Sequence, residues 1–357
     1  MNIASLVSGG VDSSVTIPIL KDMGYEPDIF YIRIAMEDEP GFTDCPSEED
    51  IEITTFIAKK YGCRMEIVDL QKEYWESVVD YTLKTVKQGF TPNPDVMCNR
   101  LIKFGSFRDR YGSSYDKIST GHYAGTTEKN GVIYLTTAAD KRKDQTYFLG
   151  RITNDQLQQV MFPIGHLQKA EVRAMAEEMR LPSAHRPDSQ GICFLGKINY
   201  AEFIRKYTGE KPGKIIELET GKILGEHRGI WFHTIGQRKG LGLGQGPWFV
   251  VQKNIAENII FVSNGYDPIA QYKEEIILED FLFINEKPDR DYTTGQKVSF
   301  KIRHQPEFGE GIMLQAGDVF RIKSNKPVAG VAPGQFGVIY DEHREICLGS
   351  GVISEQE

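Results

Sequence analysis

Residues 7–14 read VSGGVDSS, and the apolar run 3–7 that leads into them predicts a buried strand. A helix is expected directly after the turn. Two glycines let the backbone approach an anion closely, the serines add hydroxyl donors, and the first turn of a helix offers unpaired N–H groups. Gly-Gly also suits a plain tight turn, but strand, SGGVDS and helix in that order argue for a bound phosphate. The stretch lacks the GxxxxGK[ST] pattern and its lysine, which argues against a loop built for γ-phosphate cleavage. Pro18, about a turn into the helix, is expected to bend its start and leave the turn intact.

Outward from this turn, strands and helices alternate. Residues 29–34 and 65–68 predict strands, and 117–120 predicts another that ends at Gly121-His122. Residues 47–61 predict a helix opened by Pro46 and by Ser47-x-x-Asp50, a capping-box variant. Residues 73–88 predict a long helix stopped by Gly89. Such alternation means α/β architecture, a doubly wound parallel sheet with ligands at the carboxyl ends of its strands. SGGVDSS and Gly121-His122 both fall at such ends, within reach of one nucleotide. Beyond about residue 205, Gly and Pro recur at short spacing, and 248–252, 259–262, 297–303, 320–322, 328–332 and 336–340 read as strands. With a seam at Asp267-Pro268, the expectation is an α/β domain over 1–205, a small β-rich domain over 206–268 and a C-terminal β-barrel over 269–357.

Composition narrows the function classes. The chain has 357 residues, 40% hydrophobic and 26% charged, which is ordinary for a soluble protein of two or three domains. Neither a signal peptide nor a run of about 18 apolar residues is evident, so no membrane association is expected. Five cysteines, Cys45, Cys63, Cys98, Cys193 and Cys347, make an odd number without a CxxC pair. That argues against a disulfide framework or a zinc site and for a reducing cytosol. A net charge of −8 is the wrong sign for a non-specific nucleic-acid binder. Any RNA must therefore meet local basic runs such as Lys141-Arg142-Lys143, Gln237-Arg238-Lys239 or the stretch 301–305, each of which also reads as a solvated face. GLGLGQG, 240–246, does not satisfy GxGxxG and reads as a turn.

Two cysteines stand in unusual surroundings. In TPNPDVMCNRLIKF, 91–104, two prolines hold an extended loop and Asp95 lies three residues before Cys98. A helix is predicted from near Asn99, whose dipole would favour a Cys98 thiolate over a thiol of ordinary pKa ~8.5. A buried cysteine anchoring the helix is the plainer alternative. In DSQGICFLG, 188–196, Cys193 follows a small polar segment, and a core-facing strand cysteine is again the plainer reading. Cys63 and Cys347 read as core, and Cys45 as structural.

These stretches match a family when taken together. TPNPDVMCN, ISTGHY, KDQTYFL, DSQGICFLG and HTIGQRKGLG resemble the tRNA-specific 2-thiouridylases, bacterial enzymes that thiolate the wobble uridine. The likeness runs nearly end to end, to PVAGVAPGQFGVIY at 327–340, and SGGVDSS is similar to the turn of the PP-loop ATP pyrophosphatases.

The resemblance implies that ATP, with Mg²⁺, is cleaved between its α and β phosphates. AMP is joined to O2 of uridine, and sulfur then displaces it. Leu6, Val7, Ser8, Gly9, Gly10, Val11, Asp12, Ser13, Ile32 and Gly121 are implied at the ATP. Cys193 is implied to carry a persulfide, with Cys98 as the second thiol and Asp95 as an acid/base group beside the base. The persulfide either attacks C2 directly, with Cys98 resolving Cys193 into a disulfide, or Cys98 first liberates hydrosulfide. Asn93, Pro94, Asp95, His122, Lys143, Asp144, Gln145, Arg303, His304 and Gln335 are implied to meet the target base or the tRNA. The implied partners are tRNAs reading Lys, Glu and Gln codons and a cysteine desulfurase or sulfur carrier, acting on a monomer. An iron–sulfur cluster on Cys98, Cys193 and Asp95 is an alternative to persulfide chemistry. Two further readings stay open: a PP-loop synthetase that admits an amine, and a non-catalytic tRNA binder.

Overall fold

The computed structural model describes residues 1–34, 47–188, 200–285 and 291–355. Cys45, Cys193 and the expected Pro46 lie outside them.

The chain opens with strand β1 (Ile3–Leu6), every residue of it buried, and helix α1 (Val11–Asp22). Strand β2 (Asp28–Arg33), helix α2 (Ser47–Tyr61), β3 (Met65–Asp69) and β4 (Lys117–Thr120) follow. A hairpin, β5 (Ala124–Lys129) and β6 (Val132–Thr137), precedes the short β7 (Val160–Met161). The sheet runs β3-β2-β1-β4-β7 and every pairing in it is parallel. A parallel sheet must be covered on both faces. One core holds Val15 and Ile17 of α1, Ile53 and Ile57 of α2, and Val172 and Ala176 from helix Lys169–Glu178. The other holds Val78, Val86, Ile102, Phe104 and Phe107. The doubly wound expectation is met.

Two helices differ from their sequence readings. The predicted helix 73–88 begins earlier and is built of Gln71–Tyr74, the π-turn Trp75–Val79 and Asp80–Lys87, ending before Gly89. The helix expected near Asn99 begins at Pro94. Asn93 caps it, its side chain accepting the Val96 N–H at 3.3 Å, and Pro94 stands at the first helical position, where its fixed φ is favourable. Cys98 is thus the fifth helical residue rather than the residue just before the helix, past the turn where the dipole acts strongly. Pro18 leaves α1 continuous from Val11 to Asp22.

A second sheet contains β8 (Gly213–Glu217), β9 (Ile223–His227), β10 (Trp248–Asn254) and β11 (Ile259–Asn264), in the order β10-β11-β8-β9. Leu241 from the glycine-rich turn is buried in its core with Trp248, Val250 and Ile260. The third unit contains β12 (Tyr272–Phe283), β13 (Gln296–Lys301), β14 (Gly309–Ala316), β15 (Val319–Ala329), β16 (Phe336–Tyr340) and β17 (Ile346–Ile353). Pairing of β12 with both β15 and β17 closes it into a six-stranded barrel. The β5–β6 hairpin of the first unit joins the barrel wall, with Cys347 opposite Leu135. Nothing in the local pattern of 124–137 announces that pairing. Cys347 is wholly buried there and burial pushes its thiol pKa up, while Cys63 is half-buried. Among the described residues no helix is long and apolar enough to cross a membrane.

Burial depresses the pKa of His122, His227, His233 and His304, the last of these despite a bond to the Asp144 carbonyl; His233 falls to about 4. An unfolded histidine titrates near ~6.5, so below that pH the unfolded chain binds more protons than the fold. Stability is therefore present above pH ~6.5 and lost as pH falls toward the depressed values. Between pH 7 and 5, His233 alone should cost about 2 kcal/mol. Urea midpoints at the two pH values test this, and equal midpoints would contradict it.

Candidate active site

A cavity of about 320 Å³ opens at the carboxyl ends of β1, β2 and β4. β1 has its neighbours on either side there, the place where an open α/β sheet binds its ligand. Leu6, Val7, Ser8, Gly10, Val11, Asp12 and Ser13 line it from the turn and α1, Ile32 from β2, and Thr120, Gly121 and His122 from the end of β4. Cys98, Lys103 and Gln145 complete the far wall.

The turn is held by its own serines. The Ser8 N–H donates to Ser13 Oγ at 3.1 Å, while the Ser13 and Ser14 hydroxyls donate to the Gly10 carbonyl at 3.1 and 2.7 Å. Gly9 adopts φ +74°, and a Cβ there would lie 2.8 Å from Asp50 Cα. Gly10 caps α1 without a side-chain bond, leaving the first-turn N–H groups to a ligand.

Positive charge comes from residues far along the chain. Lys169 reaches Asp12 at 2.5 Å and Asp188 at 3.0 Å, and Asp188 also binds Lys143 and Arg173, each at 2.6 Å. Arg186 donates to the Gly9 carbonyl at 3.1 Å and pairs with Asp50 at 2.5 Å. Burial pushes the Asp188 carboxyl up, but bonds from Lys143 and Lys169 outweigh it and hold it at about 2. For Asp50 burial wins over Arg186, and its pKa is raised. The Tyr123 hydroxyl donates to Asp12 at 2.9 Å; burial and the Asp12 charge keep that phenol protonated. His122 Nδ1 lies 2.8 Å from Thr120 Oγ1, and burial, reinforced by Lys103, keeps the imidazole neutral.

The remaining candidates fall into two groups, of which Gln145 and Cys98 line the cavity. Asp144 is an internal brace: with 2% of its side chain exposed, it pairs with the fully buried Lys301 of β13 at 2.9 Å and accepts from the Ala138 N–H and the Thr146 hydroxyl. The Asp144 carbonyl contacts His304 Nε2 at 3.1 Å, and Gln145 accepts the Tyr123 N–H at 3.0 Å. Arg303 donates to Gln305 at 2.8 Å along a barrel groove of about 370 Å³. In the second group Gln335 meets Asn93, while Pro94 and Asp95 form the first turn of the helical stretch that passes through Cys98 into the π-turns Asn99–Ser106. Asp95 is half-buried and Cys98 is 3% exposed. Among the described residues no three His, Cys, Asp or Glu side chains gather as a metal site.

Three family models match consecutive stretches: a tRNA methyl transferase HUP domain over 1–197, a tRNA methyl transferase PRC-barrel domain over 201–264 and an aminomethyltransferase β-barrel domain over 273–353. The chain is 61% identical over 356 residues to the tRNA-specific 2-thiouridylase MnmA of Parabacteroides distasonis, covering 100% of this chain and 99% of that one. The chain belongs to the tRNA-specific 2-thiouridylase family. Relatives of the same name from Porphyromonas gingivalis and Bacteroides thetaiotaomicron are 58% and 56% identical, each over 99% of this chain and 99% and 100% of theirs. Among solved structures, the U34-tRNA thiolase NcsA from Methanococcus maripaludis with its [4Fe-4S] cluster matches at TM-score 0.35 and 19% identity, over 55% of this chain and 63% of that one. So distant a match carries no inference.

Sequence reasoning missed Lys169, Arg173 and Arg186 in this 2-thiouridylase. The available signal was the i,i+4 spacing of Lys169 and Arg173, which sets both cations on one helix face. Gly121 shows how tightly the site is assembled. A Cβ there would stand 2.6 Å from the Ser13 nitrogen and 2.7 Å from the Asp12 carbonyl carbon, both backbone atoms. Gly121→Ala must therefore displace the first turn of α1, and ATP affinity should fall about 100-fold by calorimetry. Unchanged affinity would show that the turn does not hold the nucleotide.

Proposed function

We propose that this protein is a tRNA uridine sulfurtransferase that makes 2-thiouridine at the wobble position, releasing AMP and pyrophosphate. One observation carries the reading: the SGGVDSS turn, Gly121 and Cys98 line a single cavity. The pyrophosphate of ATP rests on the turn and the α1 N-terminus, where Lys169 and Arg186 replace the lysine of γ-phosphate loops. Uridine O2 attacks the α-phosphorus and pyrophosphate leaves, so a poor leaving oxygen becomes part of AMP. The terminal sulfur of a Cys193 persulfide then bonds to C2 and AMP departs. The Cys98 thiolate attacks the Cys193 sulfur, leaving C2=S on the base and a Cys98–Cys193 disulfide that an external thiol must reduce. Cys193 lies outside the described residues, so this order of steps rests on the chemistry and the family likeness. Catalysis belongs to 1–205 in this scheme and RNA binding also to the segments 206–268 and 269–357, with a cysteine desulfurase or sulfur carrier as donor.

Purified protein with tRNA, ATP–Mg²⁺, a sulfane-sulfur donor (a cysteine desulfurase with free cysteine) and a thiol reductant should give 2-thiouridine, AMP and pyrophosphate in equal amounts. ADP with phosphate as products, or tRNA without 2-thiouridine, would reject the scheme.

A further inference from the structure

We propose that Lys103 is a further catalytic residue, its ammonium the cation that holds the α-phosphate as AMP departs. This rests on the sulfur-transfer reading above. Among the described residues two cations line the nucleotide cavity, Arg33 and Lys103. Arg33 ends β2, on the far side of β1 from β4. Lys103 stands on the wall with Cys98, between Ile102 and Phe104, which are both buried. The Phe104 ring centre lies 6.3 Å from that of His122, just past β4, and the Lys103 charge reaches that imidazole and helps keep it neutral.

The local helix decides this placement. On an α-helix, residues five apart point about 140° away from each other. Cys98 leads into the π-turns Asn99–Ser106, whose i→i+5 bonds bring residues five apart back toward one face, and both Cys98 and Lys103 line the cavity. The ammonium is left for a substrate. It makes no hydrogen bond or ion pair among the described residues. The carboxylates that line the cavity are matched elsewhere: Asp12 by Lys169, Asp50 by Arg186, and Asp188 by Lys143, Lys169 and Arg173. Lys103 is half-buried, and a charge so placed is costly to leave without a partner. An anion in the cavity supplies one. In the scheme above the pyrophosphate rests on the turn, whereas sulfur must reach C2 beside Cys98. C2 is joined through O2 to the α-phosphorus, so a cation on the Cys98 face meets the α-phosphate.

That contact has a chemical use. In adenylation O2 bonds to the α-phosphorus, the bond to pyrophosphate breaks, and Asp95 takes the N3 proton of the base. When sulfur bonds to C2, the C2–O2 bond breaks and AMP leaves with the electron pair. Its phosphate passes from one negative charge to two, and Asp95 returns the proton to N3 as C2=S forms. An ammonium fixed at that phosphate is worth more in the transition state than in bound ATP.

Lys103→Met keeps the stem and removes the charge. In single-turnover reactions with ATP labelled at the α-phosphorus and a sulfane-sulfur donor, 2-thiouridine formation should fall about 100-fold. Label should accumulate on the tRNA, because the adenylate forms and then waits. ATP affinity should stay within about threefold, the pH midpoint of Cys98 alkylation should not move, and Lys103→Arg should recover at least about tenfold of the loss. Tritation of Cys98 shifted upward would overturn the proposal and make Lys103 a partner of the thiolate. Loss of ATP binding, or label on tRNA no higher than with the wild type, would overturn it as well. If Lys103→Met fails to fold, Lys103→Gln faces the same expectations. A wild type that makes no 2-thiouridine refutes the underlying reading, whereas equal thiolation by wild type and variant refutes the role of Lys103 alone.

Discussion

Cys98→Ser is expected to lower 2-thiouridine formation by at least about 10³-fold while ATP binding stays near that of the wild type. Cys98 is 3% exposed, and it stands at the wall of the cavity that Gly121 and the SGGVDSS turn share. A serine fits that space, so the fold and the nucleotide site should survive. Its hydroxyl can neither attack a disulfide sulfur nor hold a sulfane, because the reactive species is a thiolate. Mass spectrometry of digested tRNA measures the sulfur step, and calorimetry measures ATP binding. 2-Thiouridine formation within tenfold of the wild type would remove Cys98 from the sulfur-transfer step. Loss of ATP binding along with thiolation would mean that Cys98 supports the cavity wall and takes no part in the chemistry.

Lys301→Met should produce the largest loss of stability, about 3–5 kcal/mol in urea unfolding, because it strands a buried carboxylate. Lys301 is wholly buried, its ammonium 2.9 Å from Asp144 and 4.2 Å from the centre of the Phe308 ring. Removing the cation leaves Asp144 with neutral donors alone, the Ala138 N–H and the Thr146 hydroxyl. Adding Asp144→Asn to Lys301→Met deletes the stranded charge and should recover more than half of the loss. A cost below about 1 kcal/mol for the single variant would show that the pair is hydrated and does not couple the units. The same contact bears on the site, since Asp144 lies between Lys143, which holds Asp188, and Gln145, which lines the cavity.

Much of the catalytic unit was legible in local pattern. The buried strand before SGGVDSS, the helix after it and the strand ending at Gly121 each follow from residues close in sequence, and the cavity forms where those pieces end. The start of the helix at Pro94 is a local feature too, because Asn93 is a good cap and proline suits the first helical position, although Pro-x-Pro also fits an extended loop. The cations at the turn were not. Lys169 is 157 residues from Asp12 and Arg186 is 177 from Gly9, and only the packing of α1 against the Lys169–Glu178 helix closes those distances.

By itself, then, the order of residues determined which segments become strands and helices and where a nucleotide meets the sheet, because hydrophobic periodicity, caps and glycine turns act over a few neighbouring positions. Tertiary structure alone decided which charges are paired, that the β5–β6 hairpin enters the barrel wall, and that Asp144 and Gln335 meet Lys301 and Asn93. The physical reason is that burial and electrostatic pairing depend on which surfaces meet. A lysine or a glutamine has the same local pattern whether water, RNA or a carboxylate lies opposite it.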